Sequence, residues 1–128
     1  MRVLLDTHAF LWYVLADPSL SDAASRTIND PAACVLVSPA SYWECAIKVS
    51  LGKYQLDVPF ETFWRKGVDG NGFEILPIEL RHAAAVSSLP FHHRDPFDRL
   101  LVAQAMTEDV ALVSADAALD AYSVRRLW

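Results

Sequence analysis

Four carboxylates stand where an α/β chain places reactive groups. Asp6 directly follows the apolar run Arg2 to Leu5, and Glu44 lies in the first turns of the helical stretch after a second run, Ala33 to Val37. Asp98 falls near the start of a long helical stretch, and Asp116 comes three residues after Val113. Carboxylates gathered in one place repel one another, and they are tolerated when a divalent cation neutralises them or when one stays protonated. Their hard oxygens favour Mg2+ or Mn2+. No His/Cys set with zinc spacing competes, because His8, His92 and His93 form no HExxH pattern. One or two such ions can clamp a phosphodiester, activate a water and stabilise the leaving oxygen, so phosphodiester hydrolysis is the natural chemistry.

Each acid has an ordinary alternative. The chain holds 16 Asp and Glu, most of which must be solvated surface charges. Asp98 can cap its helix, Asp116 can close an Asx turn, and Glu44 with Lys48 has the spacing of a helical ion pair. Asp6 is harder to place in this way. It sits between Val3-Leu4-Leu5 and Phe10-Leu11-Trp12, close to the core, and needs a partner there.

The elements that must position these acids alternate in type. The strand-like runs are Arg2 to Leu5, Ala33 to Val37, Phe73 to Ile78 (interrupted by Pro77) and Ala111 to Val113, with a short one at Ser123-Val124. Helical spacing covers Ala9 to Leu15, Ser21 to Asn29, Ala40 to Leu51, Phe60 to Gly67, Glu79 to Ser87 and Asp95 to Thr107, with Pro39 and Pro96 near first turns. Strands alternating with helices imply right-handed crossovers and a mainly parallel sheet covered on both faces. In such a sheet ligands bind beyond the carboxyl ends of the strands, where these acids fall.

Composition bounds the rest. A chain of 128 residues, 53% hydrophobic, is one domain's worth of sequence, residues 1–128, with no repeat or linker to divide it. No apolar run approaches the roughly 20 residues of a membrane helix. Asp6 and His8 interrupt the apolar N-terminal stretch that would otherwise resemble a signal peptide. Cys34 and Cys45 lack CxxC spacing and fit two thiols in a reduced, cytoplasmic setting. The net charge of −5 makes the chain a poor candidate for binding nucleic acid through a broad basic surface, so any such role must find its positive charge elsewhere.

Four segments together resemble a known family. Leu4-Leu5-Asp6-Thr7-His8-Ala9-Phe10-Leu11-Trp12, Ser41-Tyr42-Trp43-Glu44-Cys45-Ala46-Ile47-Lys48, His93-Arg94-Asp95-Pro96-Phe97-Asp98-Arg99-Leu100-Leu101-Val102-Ala103-Gln104-Ala105 and Leu112-Val113-Ser114-Ala115-Asp116 are similar, in order and spacing, to the motifs of PIN-domain proteins of the VapC toxin type. Cys45, where an aliphatic residue is more usual, and the alanine-rich stretch after Asp116 depart from that pattern. The resemblance implies a three-layer α/β/α fold with a five-stranded parallel sheet of order 3-2-1-4-5. It implies an endoribonuclease dependent on Mg2+ or Mn2+, acting as the toxin of a toxin–antitoxin pair, usually a homodimer and neutralised by a VapB-type antitoxin. Carried over by motif, Asp6, Glu44, Asp98 and Asp116 form the catalytic and metal-binding quartet, supported by Thr7 and Ser114.

The remaining polar and aromatic residues divide between roles. Lys48, Arg94 and Arg99 are the bases nearest the acids in sequence and can hold an RNA backbone or pair with Glu44, Asp95 and Asp98. His92 and His93 can contact RNA but fit ordinary exposed loop histidines better, and Trp12, Trp43 and Trp64 fit core or dimer interface. Ser21 to Asn29 and Ala40 to Leu51 carry apolar stripes suited to a protein-binding groove. Two rival families fail on particular residues. A phosphoacceptor receiver domain has paired acids after the first strand and a lysine after the last core strand, whereas Thr7-His8 follow Asp6 and no lysine follows Lys66. A phosphatase of the haloacid dehalogenase class needs DxD, and residue 8 is His. A PIN fold that only binds is opposed by the intact quartet.

Overall fold

The computed structural model describes residues 1–128. Five strands, β1 (Arg2–Leu5), β2 (Cys34–Val37), β3 (Glu74–Ile75), β4 (Ala111–Val113) and β5 (Arg126–Leu127), form one parallel sheet in the order β3-β2-β1-β4-β5. Six helices flank it: α1 (Thr7–Val14), α2 (Asp22–Asn29), α3 (Pro39–Ser50), α4 (Phe60–Asp69), α5 (Leu80–Val86) and α6 (Pro96–Glu108). The layering and strand order are those expected from the sequence. No helix is long and apolar enough to cross a membrane.

The period-2 geometry of a strand sends alternate side chains to opposite faces, and here both faces are buried. Val3, Leu5, Val35, Val37, Ala111 and Val113 join Phe10, Ile28, Trp64 and Phe73 in one core. Leu4, Leu36 and Leu112 face the other way and pack with Leu101, Val102 and Ala105 of α6. This explains why β1, β2 and β4 read as continuous apolar runs. At Gly67 helix α4 crosses α1 so closely that a Cβ atom would lie 2.8 Å from Cζ of Phe10.

Two strands differ from the sequence reading. β3 shortens to Glu74–Ile75, since Pro77 has no N–H to extend the ladder, although Leu76 N–H still reaches the Val37 carbonyl (3.0 Å). The last strand is Arg126–Leu127 rather than Ser123-Val124, because β4 recruits the carbonyls of Arg125 and Leu127 for its Leu112 and Ser114 N–H groups (2.7 and 3.2 Å).

Register fixes the site. Leu5 pairs with Val37 on one side and Val113 on the other at the strand ends, so the residues that follow them, Asp6, Ser38 and Ser114, form a row along one edge. Helices α1 and α3 start there, capped by Asp6 and Ser38.

Candidate active site

Asp6 serves two purposes at once. It is the N-cap of α1, where Ala9 N–H donates to its Oδ1 (2.8 Å), and its own N–H donates to the Val113 carbonyl (3.0 Å), tying β1 to β4. The residue is 5% exposed. Burial pushes its carboxyl above the ordinary range and the charge of Glu44 adds to this, while Ser114, the Ala9 N–H and His8 pull it down.

Glu44 faces Asp6 from the buried side of α3. Thr7, the first residue of α1, donates its hydroxyl to Glu44 Oε1 (2.6 Å) and lies 3.0 Å from Ser41 Oγ. Lys48 Nζ stands 3.5 Å from Glu44 Oε2, so the helical ion pair anticipated from spacing is present inside the site rather than instead of it. Cys45, directly behind Glu44, is buried, and its thiol is raised to about 12 by burial and by the Glu44 charge. It is a packing residue, not a nucleophile.

Asp98 comes from the first turn of α6, but Asp95 rather than Asp98 is the cap, accepting from the N–H groups of Phe97 and Asp98 (2.8 and 3.0 Å). The Asp98 carboxylate is thereby left without a backbone donor. Burial and the charges of Asp95, Asp6 and Glu44 raise it to about 7, with His93 opposing. Asp116 caps the short 3-10 turn Ala117–Ala121, where Ala118 N–H donates to its Oδ1 (3.0 Å), and its own N–H donates to Ser114 Oγ (3.1 Å). Ser114 is fully buried, and while it accepts from Asp116 N–H its hydroxyl also pulls the Asp6 carboxyl down.

His93 completes the cluster. Its Nε2 lies 2.8 Å from Asp116 Oδ2 and 3.6 Å from Asp98 Oδ2. Each of the three side chains offers one atom within 4.8 Å of the others. Sequence reasoning left His93 an ordinary loop histidine. The available signal was its place two residues before the helix-capping Asp95 and five before Asp98.

Of the bases singled out in the sequence, Lys48 is at the site, and Arg94 is exposed on the loop beside His93. Arg99 is not offered to a ligand. It is 4% exposed, donates to the Val86 and Leu89 carbonyls (3.3 and 3.1 Å) and lies 3.9 Å from the ring centre of Phe91. Its helical position turns it inward, where it braces the loop between α5 and α6. Among the tryptophans Trp64 is core, whereas Trp43 is 63% exposed and packs edge-on against Phe97.

Apart from the His93 ring, the donors are hard: carboxylate oxygens and hydroxyls around an acid raised to about 7 by burial and its neighbours. They suit a divalent cation with oxygen preference.

A family model for the PIN domain matches residues 3–124. Among solved structures, the chain is similar to VapBC2 from Rickettsia felis bound to a DNA fragment from their promoter, at 12% identity over 98% of this chain and 97% of that one, with a TM-score of 0.69. It is also similar to FitAcB from Neisseria gonorrhoeae (15% identity, 97% and 95% covered, TM-score 0.61). A third likeness is to FitAB bound to the IR36 DNA fragment (16% identity, 97% and 92% covered, TM-score 0.64). At these identities the likeness is one of fold. No match to the chain is found among curated proteins.

Proposed function

The chain belongs to the PIN-domain family, and from that membership we propose that it is an endoribonuclease dependent on Mg2+ or Mn2+. PIN domains are generally nucleases. The observation that carries the reading is the convergence of Asp6, Glu44, Asp98 and Asp116 on one rim, with Asp98 raised to about 7 by burial and by the charges of Asp95, Asp6 and Glu44. Acids that depress one another's ionisation form an anionic site whose charge a divalent cation would neutralise.

Asp6, Glu44 and Asp98 would hold the ion. Asp116, whose Oδ1 accepts from Ala118 N–H (3.0 Å) and whose Oδ2 lies 2.8 Å from His93 Nε2, would complete the site directly or through water. A bound Mg2+ or Mn2+ supplies charge neutralisation and lowers the pKa of a water for in-line attack on phosphorus. The chain's own part is positioning. Thr7 and Lys48 fix the two oxygens of Glu44, and the cap at Ala9 fixes Asp6. Lys48 and the exposed Arg94 are placed to hold the RNA backbone by charge. With a metal-activated water as the attacking group, hydrolysis would proceed without a covalent enzyme intermediate.

The same reading makes the protein the cytoplasmic toxin of a toxin–antitoxin pair. Its support is the VapC-type motif order and the shared fold with the VapBC2 and FitAB assemblies. Trp43, Ala83, Val86, Pro96, Phe97 and Leu100 line an apolar groove of about 330 Å3 between α3, α5 and α6. A homodimer or a VapB-type antitoxin covering that groove would bury Trp43.

Purified protein incubated with defined structured RNAs, with and without Mg2+ or Mn2+, tests the enzymatic part. Cleavage that stops with chelator and in Asp98→Asn is expected. Cleavage in chelator, or an undiminished Asp98→Asn variant, overturns it.

A further inference from the structure

We propose that His93 is a positioning residue of this site, its Nδ1 committed to a backbone N–H and its Nε2–H donating to Asp116, and that it does not ligate metal. The inference rests on the metal-dependent reading of the same acids and assigns a role that the quartet does not contain.

The tautomer follows from a backbone group. Asp95 N–H donates to His93 Nδ1 at 3.1 Å. A backbone N–H has no lone pair, so Nδ1 must be bare to receive it, and the ring proton must sit on Nε2. The Nε2–H group then meets Asp116 Oδ2 at 2.8 Å, with Asp98 Oδ2 farther off at 3.6 Å. A histidine that binds metal presents a bare nitrogen to the ion and gives its other N–H to an acceptor. His93 is arranged the opposite way, its bare nitrogen committed to the backbone and its donor aimed at carboxylates.

The loop is built to keep that orientation. Tyr122 donates its hydroxyl to the Pro90 carbonyl (2.7 Å) and accepts from the His93 N–H (3.1 Å). Arg99 holds the Val86 and Leu89 carbonyls, and the His92 ring packs edge-on against Tyr122. Asp116 belongs to the turn after β4, so the imidazole ties the loop before α6 to that turn, with Asp98 of α6 3.6 Å away. With Asp116 engaged in this way, an ion in the site meets oxygen donors only, which favours Mg2+ and Mn2+ over metals that seek imidazole.

Long-range 1H–15N spectra of the apo and Mg2+-loaded protein test the tautomer directly. The Nε2–H form is expected in both, and an Nδ1–H form in either overturns the proposal. Electron spin-echo spectra of the Mn2+-loaded protein should show no 14N coupling that disappears in His93→Gln. Such a coupling would make His93 a ligand. Glutamine keeps an N–H near the Nε2 position and phenylalanine keeps only the shape. His93→Phe should therefore lose about 10- to 100-fold in Mn2+ affinity or kcat, the usual effect of removing a group that orients a metal ligand. His93→Gln should stay within a few-fold of wild type, and equal losses in both variants count against a donor role. Should the wild-type protein bind Mn2+ and cleave no RNA, the proposed function fails while the spectra still judge His93. The apo spectrum judges it even if no ion binds.

Discussion

Replacing Asp98 with Asn should stabilise the metal-free protein at pH 8 while abolishing its metal response. An isolated carboxyl titrates at 3.8, and the folded protein holds Asp98 at about 7. At about 1.36 kcal/mol per pKa unit that gap corresponds to roughly 4 kcal/mol against the ionised form. A quarter of the side chain (25%) is open to water, however, and solvent screening leaves about 1–2 kcal/mol of this. The sign follows from linkage: the native state binds the proton more tightly than the unfolded chain, so the favourable contribution is complete below the unfolded value and is lost as pH rises through about 7. Asn carries the same shape without the charge. In urea denaturation without metal, Asp98→Asn should therefore match wild type at acid pH and exceed it by about 1–2 kcal/mol at pH 8. Saturating Mg2+ should reverse the order, since an ion at a hundredfold excess over its Kd adds about 2.7 kcal/mol to the protein that binds it and nothing to the one that does not. A variant less stable than wild type at pH 8 without metal, or wild-type stability falling no faster with pH than the variant's, would refute the electrostatic account of the site.

Other perturbations probe the supporting structure. Thr7→Val removes the hydroxyl that donates to Glu44 at 2.6 Å, leaving a buried carboxylate short of a donor, and should cost about 1–3 kcal/mol by urea denaturation together with a fall in RNA cleavage. Gly67→Ala drives a methyl against Phe10, 2.8 Å from Cζ, and Val14, 3.1 Å from Cγ2; a loss of about 1–3 kcal/mol is expected, and an unchanged Tm would show that α1 and α4 can slide apart. Trp43→Arg places a charge in the apolar groove, so a homodimer closed over that groove, as proposed above, should dissociate by light scattering while the monomer's thermal stability holds.

Much of this arrangement is legible in the sequence, and the part that is not has a physical reason. β1, β2 and β4 are apolar throughout because both faces of the sheet are covered, and an acid just past such a run can only be at the sheet's carboxyl edge. That argument places Asp6 and, through the in-register end of β4, Asp116. β5 is different. It is two residues long and paired through only one neighbour, so its position is decided by which carbonyls β4 can reach, not by an apolar pattern. His93 and Arg99 were hidden for a related cause. What each does depends on groups far away in the chain, Asp116 and Tyr122 for His93 and the Val86 and Leu89 carbonyls for Arg99, and no local spacing reports those contacts.

For three of the four acids the ordinary and functional roles turn out to be one arrangement. Asp6 gives one oxygen to the cap of α1, Asp116 one to the turn after β4, and Glu44 one to Thr7. In each case the hydrogen bond fixes the carboxylate in place and orients its second oxygen, so capping is how the fold aims the side chain. Asp98 is the exception, because Asp95 takes the cap of α6 and leaves Asp98 facing other negative charges with only His93 to offset them. The fold holds the first three acids by local hydrogen bonds that persist without an ion. It holds the fourth against its own repulsion, and among the four that makes Asp98 the residue at which a cation has most to gain.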